Sequence, residues 1–405
     1  MSPIKSVIHE IGEDLRQSLW IPLLTVYAVL SSIIGPGVHI SLFHIPFIVI
    51  GLFLVLKSSL KIEITALLLI LYLPLNIILT QPDAVFNSWQ RLALFSVVFL
   101  LTSPILKGYF ISIYRKKLLF GMLVLCVLLG IGSFVCYFLG INYMGNQFDG
   151  SAINDYQGSA GGFGGLLNQS IALGFISGIG IMYMLYHALF CTQKDRKWYY
   201  LAIILLLITI LISASRAALI STLAGGIILL YQFSNKKKGL FIKALMGCVL
   251  AVLLTYPIWS LFTTGLETKN ESYAELGAFG SRSQKWAARI IEFTSSPIFG
   301  IGYASVDNNF DEVGMGGVVE PGSSWLAILS MTGIIGFILF IAILRKPFQY
   351  LKSHPTPYNA LLMGLLAFIC THMISEGYIF AGGSSLCFIA WLIFGCCNDA
   401  RYTVD

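Results

Sequence analysis

The chain has 405 residues, of which 57% are hydrophobic and 11% are charged, and its mean hydropathy is +0.83. A soluble domain carries roughly 25% charged residues, so this composition excludes a water-soluble globular protein. The formal net charge of +6 would suit a nucleic-acid-binding protein, but in membrane proteins such an excess more often records topology. The composition therefore predicts an integral membrane protein without a nucleic-acid partner.

Apolar runs long enough to cross a bilayer recur along the whole sequence. A spanning helix needs about 20 apolar residues, because its backbone polar groups must be satisfied internally. The runs cover residues 19–34, 38–56, 62–79, 92–106, 118–141, 163–190, 198–214, 217–233, 240–262, 323–344, 358–380 and 383–397. Two of these runs are short, so we predict an all-α polytopic protein of about 12 (11–12) transmembrane helices, forming one transmembrane domain over 1–405.

The distribution of basic residues predicts the orientation. With the N-terminus inside, all but six of the 25 Lys and Arg residues fall on the inner side, as the positive-inside rule requires. This predicts that both termini are cytoplasmic. The six outer residues are Arg91, Arg216, Lys269, Arg282, Lys285 and Arg289.

Two outer connections are long, residues 142–162 and residues 263–322. Long connections in compact proteins are usually functional or disordered. The second one contains a predicted surface helix, which begins with a capping box at Ser281 and Gln284 and ends before Pro297. Trp286 lies on its apolar stripe, which we expect to face the membrane. Its N-terminus, next to Arg282, is a candidate anion site, although a basic face anchored to lipid headgroups is an equal alternative.

Several polar residues are candidates for chemistry at the outer face. Arg216 lies in a tight hairpin between two spans, and both it and Arg91 either bind a ligand or simply snorkel. His372 and Glu376 are four residues apart in one predicted span, so one helical face would carry both. A buried structural pair with a basic partner is the alternative for these two. Glu320 is a loop acid close to the bilayer.

Other polar residues have simpler explanations. Asp307, Asp311 and Glu312 are more typical of solvated loop acids. Asn76, Asn168 and Gln169 lie within spans, where hydrogen bonding between helices is the favoured role. The eight cysteines lie in or beside apolar runs without a C-x-x-C pair, which favours packing over a metal site.

Arginines and carboxylates at the outer face indicate one class of chemistry. A guanidinium group binds phosphate oxygens with two parallel hydrogen bonds and keeps its charge near lipid. A carboxylate can accept a proton from a hydroxyl group. The residues alone therefore suggest a phosphate-bearing lipid as the substrate.

Four segments resemble the O-antigen polymerase and ligase superfamily. The run 281–302 begins Ser-Arg-Ser-Gln-Lys-Trp and ends Pro-Ile-Phe-Gly-Ile-Gly, as in the signature loop of that superfamily. The hairpin 213–216 is similar to its Ser-x-Ser-Arg element. Residues 323–336 resemble the start of the following span, and 375–391 look like members that polymerise O-antigen or exopolysaccharide. The resemblance covers the chain from about residue 213 onward and is closest to the polymerase branch.

The resemblance implies a glycosyltransferase that uses undecaprenyl-diphosphate-linked oligosaccharides at the outer face of a bacterial inner membrane, without metal, nucleotide or other cofactor. Arg216 and Arg282 match the positions that hold the diphosphate, and Arg289 and Arg91 are further candidates for it. Glu320 and Glu376 are the candidate catalytic bases, with Trp286 and His372 in support. A flippase and a chain-length regulator are candidate protein partners, beside membrane lipid.

One departure bears on the type of reaction. Ligases of this superfamily carry a His-Asn pair at the start of the span that begins here at Ser323. The position of that histidine corresponds to Gly322 in this sequence. The missing histidine favours a polymerase of oligosaccharide repeat units over a ligase. A lipid-linked oligosaccharide flippase is the alternative from another class, but transporters usually place ionisable residues near the midplane and repeat one half in the other.

Overall fold

A computed structural model describes residues 61–82, 87–142, 163–167, 169–190, 196–234, 280–306 and 322–401, with isolated helical positions at 239, 241, 242 and 246. This part of the chain forms ten helices and two short strands. In chain order they are β1 Lys61–Ile62, α1 Ile64–Thr80, α2 Ser88–Thr102, β2 Leu106–Lys107, α3 Tyr109–Phe138, α4 Ser170–Phe190, α5 Arg196–Ile212, α6 Arg216–Phe233, α7 Gly280–Ser295, α8 Ser324–Ser353, α9 Pro357–His372 and α10 Ser385–Asp399.

The helical membrane protein predicted from the sequence is confirmed, but the count of twelve spans is not. Within the described ranges, four helical segments are long and apolar enough to cross a bilayer, namely Ile111–Phe138, Ser170–Phe190, Arg216–Phe233 and Ser324–Ser353. Four shorter apolar helices, α1, α2, α9 and α10, coincide with further predicted spans. The predicted runs 19–34 and 38–56, and most of the predicted run 240–262, lie outside the described residues.

A small antiparallel strand pair departs from the all-α prediction. Lys61 and Ile62 of β1 pair with Lys107 and Leu106 of β2, on the side that the sequence predicts to be cytoplasmic. Glu63 continues this contact through its backbone N–H, which donates to Ile105 O at 2.8 Å. Two residues per strand give too little alternation for a sequence pattern to reveal.

The described residues divide into two compact units, which are treated separately. The first unit contains the described residues within Lys116–Ser272 and Leu351–Thr371. Within it, α4 packs against α5 and α6 and is buried on nearly all sides, as expected for a helix that is hydrophobic all round. Its glycines allow close approach: a Cβ atom at Gly178 would overlap the ring of Phe368 and the hydroxyl of Thr222.

The second unit spans Ile40–Arg115, Tyr273–Tyr350 and His372–Asp405. Here α10 packs against α2, and an aromatic cluster forms their interface. The ring of Trp391 lies 4.6 Å from that of Phe99 and 5.8 Å from that of Phe340, measured between centroids. Its indole N–H donates to Ile379 O at 2.9 Å, which fixes the chain segment before α10.

A buried ion pair closes the predicted cytoplasmic end of the second unit. Nη1 of Arg115 lies 2.9 Å from Oδ2 of Asp399, and the same guanidinium donates to the carbonyls of Leu101 and Leu106. The sequence marked Arg115 only as a topology signal. Because Arg115 is buried, it has a structural role. Removing either partner of a buried ion pair would leave the other charge uncompensated in a low-dielectric interior.

Candidate active site

The first-turn arginine of α7 meets a carboxylate in the second unit. Nη2 of Arg282 lies 2.5 Å from Oε1 of Glu376, and the two side chains are only 18% and 7% exposed. Charges interact much more strongly in such surroundings than at an exposed surface. Separate arguments from the sequence selected these residues, and the fold brings them together across 94 positions of the chain.

Glu376 lies in a non-helical segment. The sequence placed it with His372 on one helical face within residues 358–380, which was wrong, because α9 ends at His372. The carbonyls of Met373 and Glu376 each accept the backbone N–H of Ser324 at 2.9 Å. The chain leaves the helix because these carbonyls cap the start of α8 instead of continuing α9.

Ser324 anchors this segment and was missed as a functional residue. Its hydroxyl donates to Glu376 O at 2.7 Å and accepts from Tyr378 N at 3.0 Å. It is fully buried at the first position of α8. The only signal in the sequence is a pair of serines at the start of a predicted span, which is typical of a helix cap and says nothing about a carboxylate.

His372 lies close to the ion pair. Its imidazole is fully buried, lies 5.6 Å from the Tyr378 ring between centroids, and is near the Arg282 guanidinium. Burial keeps water away from this side of the pair.

The charged side of α7 faces the protein. Arg289 and Glu292 are both fully buried and form an ion pair of 2.8 Å within the helix. On the opposite side, Ile290 and Ile291 are 51% and 52% exposed. The structure thus places Arg289, a predicted diphosphate ligand, in a buried pair one turn along the helix from Lys285.

Lys285 and Trp286 pack against the start of α8. The indole N–H of Trp286 donates to Gly322 O at 3.1 Å. A Cβ atom added to Gly322, whose φ is +67°, would come within 2.8 Å of the Lys285 side chain. The position where a ligase would carry histidine is therefore occupied by a left-handed glycine covered by lysine. Trp286 thereby anchors α7 to the residue that precedes α8.

The signature turn that follows α7 docks onto a break in α8. At Gly333 the backbone adopts φ 62° and ψ −167°, which interrupts the helix. The unwound segment and the turn then satisfy each other's backbone groups, as an interrupted membrane helix requires. Three hydrogen bonds join them: Ile301 N to Ser330 O at 2.8 Å, Gly302 N to Met331 O at 3.2 Å, and Ile334 N to Pro297 O at 2.9 Å.

Two glycines of these motifs are required by geometry. Gly300 has φ 77°, and a Cβ atom there would lie 2.6 Å from Ser330 O. A Cβ atom at Gly333 would overlap the carbonyl of Ile298. Both close contacts are with backbone, which cannot rotate away as a side chain can. The Pro-x-x-Gly-x-Gly turn, Pro297–Gly302, and the Thr332-Gly333 pair in α8 therefore form one structural element.

Two polar residues of α1 complete this element. The amide of Asn76 donates to Phe299 O at 2.6 Å and accepts from Tyr303 N at 2.7 Å. The hydroxyl of Tyr72 donates to Thr332 O at 2.8 Å. The sequence favoured bonding between helices for Asn76, whereas its partners lie in the turn.

Tyr303 and Arg91 are neighbours beside the same turn. Burial raises the pKa of the Tyr303 phenol well above its usual value, and the nearby Arg91 guanidinium lowers it by a smaller amount. The phenol is therefore neutral and donates to Phe380 O at 3.2 Å. Arg91 lies in the first turn of α2 and is partly buried.

Arg216 belongs to the first unit and begins α6. The hairpin predicted at 213–216 is present: Ala214 has φ 51°, and the hydroxyl of Ser215 caps α6 by accepting from Ala218 N. Ser213 and Ser215 are buried, while Arg216 is partly exposed at the helix N-terminus. A helix N-terminus with an adjacent guanidinium attracts anions.

Glu320, the other predicted base, lies outside the described residues, as do the side chains of Ser281 and Gln284. The helix that they were expected to begin is present as Gly280–Ser295.

Comparison with protein families identifies the segment that carries these features. Residues 201–341 match a family model described as O-antigen ligase. This match supports placing residues 201–341, the superfamily segment, in the O-antigen polymerase and ligase superfamily. None of the curated proteins compared with the chain matches it.

The superfamily segment contains Arg216, Arg282, the turn and the break in α8, but neither Glu376 nor Asn76. The resemblance inferred from the motifs is thus confirmed at the level of the superfamily. Asn76, which contacts the turn, precedes the matched segment, and Glu376, which pairs with Arg282, follows it. Their contacts with the segment are visible only in the folded structure.

Proposed function

We propose that this protein is a polymerase that joins undecaprenyl-diphosphate-linked oligosaccharide repeat units into O-antigen, capsule or exopolysaccharide. The reaction takes place at the outer face of a bacterial inner membrane, where the topology from the basic residues places α7. The buried pair of Arg282 and Glu376 is the observation that carries the proposal. It combines a phosphate-binding group and a proton acceptor at one position.

When the donor binds, its diphosphate replaces the Glu376 carboxylate as the partner of the Arg282 guanidinium. Planar guanidinium groups match two phosphate oxygens at once, and the N-terminal end of α7 adds favourable backbone dipoles. Both interactions grow as negative charge develops on the leaving group, so they stabilise the transition state more than the ground state. Binding of the donor thereby also releases the Glu376 carboxylate.

Glu376 accepts the proton of the attacking hydroxyl. As the hydroxyl oxygen of the acceptor saccharide bonds to the anomeric carbon of the donor, the bond from that carbon to the phosphate oxygen breaks. The proton passes to the Glu376 carboxylate, and the lipid diphosphate leaves with the bonding electrons. Ser324 keeps Glu376 in place through its backbone carbonyl, and His372 and Tyr378 shield it from water.

The remaining predicted residues take distinct roles in the proposal. Arg216 contacts a diphosphate from the N-terminus of α6, by resemblance to the superfamily. Arg91 is a further candidate for the same task at the outer end of α2. Arg289 acts through its pair with Glu292, which keeps the charged side of α7 turned inward. Glu320 remains a second candidate for the base.

A ligase is the second candidate, because the matching family model carries that description. The geometry at Gly322 supports the polymerase. A histidine at this position would need a left-handed backbone and would overlap Lys285. A base that a ligase of this superfamily is expected to carry therefore has no room here unless Lys285 moves.

Purified protein in lipid nanodiscs, incubated with lipid-diphosphate-linked repeat units, tests the proposal. We expect a ladder of longer glycans and release of lipid diphosphate. Transfer to lipid A core would favour the ligase, and translocation without transfer in proteoliposomes would favour a flippase.

Variants at two positions connect the reaction to the ion pair. Arg282→Ala and Glu376→Gln should each abolish the ladder, and Arg282→Lys should restore little, since a point charge cannot make the two-pronged contact. Arg345→Ala, which removes an exposed arginine of α8, is the matched control and should retain full activity. Ladders of normal length in the Arg282 and Glu376 variants would contradict the assigned roles.

A further inference from the structure

Asn76 is a fully buried amide in the mainly apolar helix α1. A buried amide in a membrane helix is costly unless its groups are hydrogen-bonded. Both of its functional groups are used by the turn: Nδ2 donates to Phe299 O at 2.6 Å and Oδ1 accepts from Tyr303 N at 2.7 Å. These partners are 223 and 227 positions away in the chain, and both belong to backbone.

The turn held by Asn76 directly follows the helix of Arg282. α7 ends at Ser295, and the first carbonyl that Asn76 contacts is four residues later. The turn is thus held on one side by the broken helix α8 and on the other by Asn76. At its opposite end, α7 is held by the bond between Trp286 and Gly322.

We propose that Asn76 is a positioning residue for glycan transfer. Its amide fixes the C-terminal end of α7, so that Arg282 remains against Glu376 and in line with the diphosphate. This inference rests on the proposed function. An amide suits the task because one side chain must both donate to a carbonyl and accept from an N–H. Alanine could do neither, and an aliphatic residue would leave Phe299 O and Tyr303 N without their amide partner on α1.

Turnover of lipid-linked repeat units in nanodiscs tests the proposal. Asn76→Ala should lower kcat by about 10- to 100-fold, the scale of a small displacement of a catalytic group, with a much smaller change in KM. Hydrogen exchange of the amides in 297–303 should become faster at the same time. Asn76→Ser is the milder variant, because the serine hydroxyl can hydrogen-bond to a carbonyl of its own helix. α1 should then still insert into the membrane, while the two hydrogen bonds from Asn76 to the turn are lost. This variant should also lower kcat.

The matched control is Thr102→Val. Thr102 is buried in α2 and its hydroxyl donates only to Val98 O of the same helix, at 2.6 Å. This variant removes a buried hydrogen bond within the same unit and should retain wild-type kcat.

A double-variant comparison separates positioning from general damage. If Asn76 acts through Arg282, then Asn76→Ala should add little to the loss already caused by Arg282→Lys. Losses that multiply in full, or wild-type kcat in both Asn76 variants, would overturn the inference. Full activity in Arg282→Ala would instead refute the proposed function, so the two failures are distinguishable.

Discussion

Replacing Gly333 by alanine should detach the signature turn from α8. The backbone of Gly333, at φ 62° and ψ −167°, lies in a region that only glycine occupies readily. The new Cβ atom would overlap the carbonyl of Ile298, which belongs to backbone and cannot rotate away. The helix would therefore straighten and the turn would move off.

The cost follows from the contacts. Forcing alanine into this conformation costs about 1–3 kcal/mol. Undocking breaks the same three backbone hydrogen bonds in the wild type and in the variant, so these bonds cancel from the comparison. The strain alone therefore shifts the equilibrium by about 1–3 kcal/mol, or roughly 5- to 150-fold, toward the undocked turn.

Hydrogen exchange of the purified protein in nanodiscs measures this shift. The amides of Ile301 and Gly302 should exchange roughly 5- to 150-fold faster in Gly333→Ala. The control is Gly226→Ala in α6, where a Cβ atom would meet only ordinary contacts at 3.9 Å. Unchanged protection of both amides in Gly333→Ala would refute the assignment of the turn to the helix break.

Three further predictions concern single side chains. Arg216→Ala should abolish long-chain glycan while protein still accumulates in the membrane, as shown by gel analysis of glycan beside an immunoblot; wild-type chain lengths would remove its diphosphate role. Glu320→Gln should reduce the ladder far more than Asp311→Asn if Glu320 is the base, whereas equal effects would leave that role to Glu376. Asp399→Asn should destabilise the folded protein by about 3–5 kcal/mol, because it leaves the buried Arg115 charge without its partner; a melting temperature in detergent equal to the wild type would contradict this.

The helices could be predicted because lipid leaves few alternatives. An apolar run of sufficient length must become a helix to satisfy its backbone, so α5 and α6 end within a few residues of the predicted limits. The ends of the helices were harder to predict where another segment of the chain hydrogen-bonds to their terminal backbone groups. α9 stops at His372 because the carbonyls beyond it accept from Ser324, and no local pattern indicates that contact.

The sequence could indicate which residues belong to the site, but not which of them contact each other. Arg282 and Glu376 were selected because charges at a lipid boundary are costly and so are kept for a purpose. Their pairing depends on a separation of 94 residues, which neither periodicity nor a short motif can show. The burial of Arg289 was missed for a related reason: helical spacing gives the faces of α7, but not which face the protein covers.

The motifs of the superfamily segment divide by physical role. A break in a membrane helix leaves backbone groups that cost several kcal/mol each unless they find partners, and the turn at 297–302 supplies those partners only because the break exposes them. Each motif thus supplies hydrogen-bond partners to the other, although about thirty residues separate them. Arg282 takes no part in this exchange, since it lies at the other end of α7. Variants of the motif glycines should therefore lose docking and activity together, whereas variants of Arg282 should lose activity while the turn stays docked.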